Sequence, residues 1–266
     1  MAAQTENDED DDVNPFATLL ADDEHNEDKV NGCSVIQDGA AKLQKHLVRS
    51  INSMIVIRQL PSEGLSFQLW PAATTLVSLL DQYRCEPAKS PLSSTLSVLA
   101  NDTNHSHLRI LELGSGTGIV GIVAAATLGA NVIVTDLPHV VPNLQFNADA
   151  NAGVLASNGG AVSVAPLQWG HAEDVELIGR DFDLILASDV VYHNHLYDPL
   201  LQTLRLLLLG SDQKMAFVMA HLRRWKKESA FFKKAKKLFE VDILHTDNPC
   251  EGCRVGVIIY RFAGKG

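Results

Sequence analysis

The sequence predicts an α/β fold: a seven-stranded, mostly parallel sheet with an antiparallel terminal strand, helices on both faces and a short N-terminal strand extension. Three observations carry this expectation. From Leu108 onward, short apolar runs alternate with helical stretches, the pattern of strand–helix–strand units that build a parallel sheet. The run Ile110 to Leu113 breaks into Gly114-Ser115-Gly116-Thr117-Gly118 before a helical segment, the punctuation of a strand turning into a helix. The last two apolar runs are separated only by Thr246 to Cys253, too short for a crossover, so they form a hairpin.

In chain order, residues 1–28 come first, with eleven acidic residues and no Lys or Arg. So little apolar surface cannot offset the entropy of ordering, which predicts a disordered, solubilising acidic tail over 1–30. The formal net charge of -10 belongs to that tail, because the other 238 residues hold 21 acids against 22 bases. Residues 31–70 read as an N-terminal extension whose β-strands pack on the core. Ile51 to Gln59 is rich in Ile and Val, and Phe67-Gln68-Leu69 reads as a further short strand. Pro71 suits the first turn of a helix over Ala72 to Tyr83 and opens the main domain, 71–266. Residues 85–107 are rich in Ser, Thr, Asn and Pro and read as a flexible loop. Strands are then expected at 108–113, 131–135, 161–165, 182–187, 215–220, 240–245 and 255–261. Helices are expected at 118–128, 138–151, 195–209 and 226–239. With 266 residues and 46% hydrophobic content, the chain can bury one sizeable core.

Several function classes drop out. No apolar run reaches about 18 residues, and an acidic start without a basic region fits neither a secretory signal nor a transit peptide. No membrane partner is expected. Four cysteines (Cys33, Cys85, Cys250 and Cys253) in a chain this size suit a reducing compartment, so a cytoplasmic protein, also nuclear, is expected. Cys250-Glu251-Gly252-Cys253 lacks a second ligand pair and reads as a turn, and His193 and His195 lack a third ligand. No metal site is expected. The basic cluster Arg223, Arg224, Lys226, Lys227, Lys233, Lys234, Lys236 and Lys237 overlaps a helical spacing of Ala230, Phe231, Ala235 and Leu238. It reads as a solvated lysine face rather than a nucleic-acid surface.

The chemistry concentrates at the glycine turn. Gly116 to Gly121 satisfies G-x-G-x-x-G, and Asp136 lies twenty residues on, so a dinucleotide fits the pattern. Glu112 argues otherwise. A carboxylate two residues before the first glycine opposes a pyrophosphate and favours a cofactor with cationic groups, a sulfonium and an α-amine. Asp136 accepts from ribose hydroxyls with either cofactor.

The stretch Glu112 to Gly118, with Asp136, Trp169-Gly170, Asp189-Val190-Val191-Tyr192 and Trp70-Pro71-Ala72-Ala73, resembles the seven-β-strand methyltransferases. It is most similar to the protein-lysine methyltransferase family 16 (methyltransferase-like 21) group, over roughly 50–262. The resemblance implies a Rossmann-like domain using S-adenosyl-L-methionine to methylate a lysine of a protein substrate, as a monomer. It implies that Gly114, Ser115 and Gly116 line the methionine end of the cofactor, that Asp136 holds the ribose and that Trp169 packs beside the adenine. Ser188 then flanks the cofactor, Trp70 gives an aromatic wall, and Asp189 and Tyr192 border the lysine channel as the catalytic pair. Val190 and Val191 stand where amino-methylating nucleic-acid enzymes usually carry prolines, so nucleic acid is disfavoured as a substrate. Three alternatives stay open at this point: another acceptor (a small molecule or RNA), an NAD-dependent oxidoreductase, and a cofactor-binding interaction protein without strong activity.

Overall fold

Residues 35–38, 41–102, 106–209, 215–249 and 256–265 are described by a computed structural model. The acidic tail, Cys33 and the pair Cys250 and Cys253 lie outside them. The N-terminal extension is an antiparallel sheet of β1 (Val35–Asp38), β2 (Ala41–Val48) and β3 (Ser53–Gln59), in that order. The stretch read as a strand at Phe67–Leu69 is instead a 3-10 turn, Leu65–Phe67, preceded by Gly64 at φ 121°. That glycine bends the chain back so that the Leu60 amide donates to the Phe67 carbonyl at 3.0 Å, and the segment closes on itself rather than pairing with a sheet.

Pro71 occupies the first turn of α1 (Pro71–Cys85), as its fixed φ favours. The predicted loop at 85–107 holds a second helix, α2 (Ser93–Asp102). Its serines and threonines have loop composition, yet Leu92, Leu96 and Leu99 recur at helical spacing and are all buried. Periodicity outweighs composition here. The alternating part follows as β4 (Arg109–Leu113), α3 (Ile119–Leu128), β5 (Asn131–Asp136), α4 (Val141–Ala150), α5 (Ala152–Ser157), β6 (Ala161–Pro166) and α6 (Ala172–Ile178). Then come β7 (Leu184–Ser188), α7 (Asn194–Leu208), β8 (Ala216–Leu222), α8 (Ser229–Leu238), β9 (Phe239–Thr246) and β10 (Val257–Gly264).

The main sheet has the order β6-β5-β4-β7-β8-β10-β9. β10 runs antiparallel to both β8 and β9, so the antiparallel strand is last in the chain but interior in the sheet. Strand order reverses at β4: β5 and β6 extend to one side, β7 and β8 to the other. The crevice beyond the carboxyl ends of β4 and β7 is where open α/β sheets bind ligands. Each face of the sheet carries its own core. Ile110, Val132 and Leu186 join β3, α1 and α3 on one face, while Leu111, Leu113, Ile185 and Phe217 join α7, α8 and Phe262 on the other.

Candidate functional site

The chain leaves β4 through a turn in which four backbone donors are already spent. The amide of Ser115 donates to the Thr135 carbonyl (2.8 Å) and that of Gly118 to the Ser115 carbonyl (2.8 Å). Gly116 N–H goes to Asp136 Oδ2 at 2.8 Å and Gly121 N–H to Glu112 Oε2 at 2.9 Å. A phosphate cradle needs such N–H groups free and convergent. Four of them are committed to the protein's own acceptors.

Glu112 therefore acts differently from the sequence expectation. Strand alternation puts it on the Ile110 face, under α3 rather than open to the crevice, and it is fully buried. Desolvation pushes its carboxyl up to about 8, against the pull of the Gly121 amide, so near neutral pH it is largely uncharged. It opposes a pyrophosphate by consuming a donor, not by presenting a charge to the cofactor. Its Oε1 is buried without a hydrogen-bond partner.

Gly114 stands at φ 60°, and a Cβ there would lie 2.7 Å from the Trp169 ring and 3.0 Å from Val190 Cγ1. Only glycine permits both the left-handed turn and this approach. Trp169 thus closes one side of the turn, in a bend whose Gly170 amide donates to Thr203 Oγ1 on α7 at 2.8 Å. Asp136, at the end of β5, is buried and takes the Leu137 amide on Oδ1 at 2.8 Å. Burial pushes its carboxyl up against those two backbone bonds. The Leu65–Phe67 turn covers the glycines from above, since a Cβ at Gly116 would meet the Ser66 carbonyl at 3.0 Å.

Ser188 ends β7, in register with Ala220 on β8. Asp189 follows at φ 57°, a left-handed conformation uncommon for a residue with a side chain. Such strain gathers at functional sites. Its carboxylate is not free: Arg224 Nη2 donates to Oδ2 at 2.7 Å, Arg224 Nη1 to Oδ1 at 3.1 Å and the Leu222 amide to Oδ1 at 3.2 Å. The guanidinium lies 5.3 Å from the centroid of the Trp70 ring, whose Nε1 donates to the Leu65 carbonyl at 3.0 Å. Behind it, Glu228 Oε2 accepts the Arg224 amide and lies 3.1 Å from His221 Nε2, with both His221 and Glu228 fully buried.

Tyr192 is half-buried, and burial, then the charge of Asp136, pushes its phenol up. Asp189, by contrast, is turned to β8, where the Leu222 amide meets it. No hydrogen bond joins the two among the described residues. The structure brings Gly114, Ser115, Gly116, Asp136, Trp169, Ser188 and Tyr192 to the β4–β7 crevice, links Trp70 to it through Arg224 and Asp189, and leaves Glu112 beneath the turn.

Arg224, His221 and Glu228 escaped the sequence reading. Arg224 was counted with a lysine-rich cluster, most of which is indeed solvent-facing: Lys233, Lys234, Lys236 and Lys237 are exposed on α8, while Phe231 and Ala235 are buried. Its position just past a strand neighbouring the D-x-x-Y strand end was the available signal. Lys234 and Lys237 border a groove of about 700 Å³ between α7 and α8 that includes none of the site residues. Among the described residues, no helix is long and apolar enough to cross a membrane.

Comparison with known proteins agrees with this arrangement. The model of a family described as lysine methyltransferase matches residues 50–238. The protein-lysine methyltransferase METTL21E of Mus musculus is 33% identical over 176 residues, 65% of this chain and 63% of that protein. EEF1A lysine methyltransferase 3 of Xenopus tropicalis is 38% identical over 116 residues, 44% of this chain and 48% of that protein. The chain thus spans less than two thirds of the length of these relatives. Among solved structures, the 16S rRNA N2 G1207 methyltransferase of T. thermophilus, in complex with AdoMet and guanosine, has a TM-score of 0.53 at 15% identity. That match covers 94% of this chain and 62% of that one, and it speaks to the fold alone. With most of its length matched by the family model, the chain belongs to the lysine methyltransferase family.

Proposed function

We propose that this chain transfers a methyl group from S-adenosylmethionine to the ε-amine of a lysine in a protein substrate. The carrying observation is the glycine turn, four of whose N–H groups are spent on Asp136, Glu112, Thr135 and Ser115. A turn with these four donors committed suits a cofactor that brings no phosphate to it. The residues fit S-adenosylmethionine in kind. Asp136 keeps lone pairs on both oxygens for hydroxyl donors, and Trp169 supplies an aromatic flank beside Gly114. Lysine as the acceptor rests on the family and on the relatives' names.

When bound, the cofactor supplies a methyl carbon already activated by a positively charged sulfur, so the protein builds no electrophile. The chain's share is alignment and proton management. The crevice must hold the amine in line with the carbon–sulfur bond, and the lysine, with an ordinary pKa of about 10.4, must first give its proton to solvent. Tyr192, half-buried beside the crevice, can accept from or donate to that amine, while the partly buried indoles of Trp70 and Trp169 limit water. Unlike the turn, the strand end of β7 carries this part of the reading.

Two measurements test it. Calorimetry is expected to show binding of S-adenosylmethionine and none of NAD. Tritiated methyl transfer in a cell lysate is expected to leave label that protease removes and nuclease does not. Binding of NAD alone overturns the cofactor, and nuclease-sensitive label overturns the acceptor.

A further inference from the structure

Asp189 poses a problem for the proposed reaction. The resemblance puts Asp189 beside the lysine channel, and an unpaired carboxylate there would stabilise the ammonium, the form that cannot attack. The geometry points to Arg224 as the residue that removes this difficulty, a positioning residue whose guanidinium offsets the Asp189 charge so that the bound lysine is released as the neutral amine. This rests on the reading of the acceptor as a protein lysine.

The pair is built as a permanent one. Both Asp189 oxygens are engaged, in a two-point contact at 2.7 and 3.1 Å, and the side chains are only 4% and 15% exposed. Such a pair is not weakened by solvent as a surface pair is. Arg224 is held on further sides as well. Nη1 also donates to the Leu222 carbonyl at 3.2 Å, its amide donates to Glu228 Oε2 at 3.1 Å, and Trp70 faces the guanidinium. The left-handed backbone of Asp189 and the Leu222 amide aim the carboxylate toward β8 and this arginine.

The other charged or titratable groups facing Asp189 are few. His221 Nδ1 lies 3.8 Å from Oδ1, beyond hydrogen-bond distance, and Nε2 on the same ring is engaged by Glu228. Glu228 is the other carboxylate of this cluster, and its Oε2 is taken by the Arg224 amide and by His221. The Asp189–Arg224 pair thus carries one charge of each sign, so the carboxylate does not hold an incoming ammonium unopposed, and the sulfonium of a bound cofactor would repel it. The proton then leaves to solvent, the nitrogen lone pair forms the bond to the methyl carbon, and the carbon–sulfur bond breaks with its electron pair staying on sulfur.

The test compares wild type, Arg224→Gln, Arg224→Lys and the double variant Asp189→Asn with Arg224→Gln. Rates of tritiated methyl transfer into protease-sensitive lysate material are measured from pH 6.5 to about 9.5, at lysate concentrations that saturate the rate, so the profile reports the bound lysine. Calorimetric S-adenosylmethionine binding and thermal melting are recorded for each. The expected result for Arg224→Gln is a rise of the rate midpoint by about one pH unit, so about a tenfold loss below the midpoint and recovery at alkaline pH. Arg224→Lys, which keeps the charge, and the double variant, which removes both charges, are expected to return the midpoint toward wild type. A loss in Arg224→Gln that is equal at every pH overturns the proposal in favour of a packing role. A gain at every pH overturns it in favour of a gate that competes with substrate. If Arg224→Gln does not fold, the double variant decides: a midpoint about a unit from wild type overturns the proposal. Wild-type label in nuclease-sensitive material instead overturns the acceptor reading, and this inference with it.

Discussion

Glu112 shows how one side chain sets the character of the turn above it. Buried under α3 and bonded to Gly121, it titrates near 8 because burial disfavours its charge. A carboxyl whose folded pKa lies above its unfolded value binds its proton more tightly when folded. Its contribution to stability is therefore complete below about 4.5, falls as pH rises toward 8 and is level beyond. Glu112→Gln keeps an acceptor for the Gly121 amide and removes the titration. Melting curves are expected to show wild type losing on the order of a few kcal/mol relative to this variant between pH 5 and about 8.5. Parallel pH profiles for the two proteins would rule the assignment out. Asp136 and Asp189, also buried carboxylates, are treated differently by their surroundings: one holds two backbone amides, the other an arginine.

At the level of elements, a ladder of asparagines ties the N-terminal extension to the main domain. Asn143, Asn147 and Asn151 recur every four residues, so they share one face of α4 and its C-terminal end. Asn151 exchanges two hydrogen bonds with the Val56 backbone, at 2.9 and 2.8 Å. Asn147 accepts from the Arg58 amide at 2.7 Å and donates to the Arg58 and Thr117 carbonyls. Asn143 adds the Arg58 Nε and carbonyl. These side chains satisfy the open edge of β3 in place of a further strand, which also keeps that edge from pairing with another chain. Through Thr117, Asn147 reaches the glycine turn itself. Asn147→Ala leaves the Arg58 amide and the Thr117 carbonyl short of a partner, while the Arg58 carbonyl keeps Asn143, and is expected to cost about 1–3 kcal/mol in urea denaturation. Faster hydrogen exchange at the Arg58 amide, with little change at residues of β8, is the local signature that distinguishes loss of the ladder from general destabilisation.

For the whole molecule, the last strand is the most consequential. β10 sits between β8 and β9, and its Ile259 and Phe262 are fully buried, one on each face of the sheet. The chain must therefore be synthesised to its final strand before β9 can join the sheet. Deletion of residues 257–266 is expected to abolish cooperative thermal unfolding and S-adenosylmethionine binding together, since it opens both cores at once. A cooperative transition in the shortened chain, seen by near-ultraviolet circular dichroism, would show that β9 can pair with β8 directly.

The strands after Leu108, the glycine turn, Asp136 and the terminal hairpin were legible because they depend on local pattern: apolar runs of strand length, glycines and short connections; the short helices α5 and α6 were not expected. The family resemblance was legible for a related reason, since Trp70, Trp169 and Asp189 to Tyr192 keep characteristic spacing along the chain. Helix α2 was missed where composition was weighed above the Leu92, Leu96 and Leu99 repeat. Which way a polar side chain faces, and whom it meets, was not legible. Strand alternation alone could have placed Glu112 under α3, but its lost charge comes from complete burial. The Asp189–Arg224 pair joins residues 35 apart, from the ends of two neighbouring strands. Such a contact depends on strand order, which arises only when the separate βα units assemble into one sheet and bring the ends of β7 and β8 side by side.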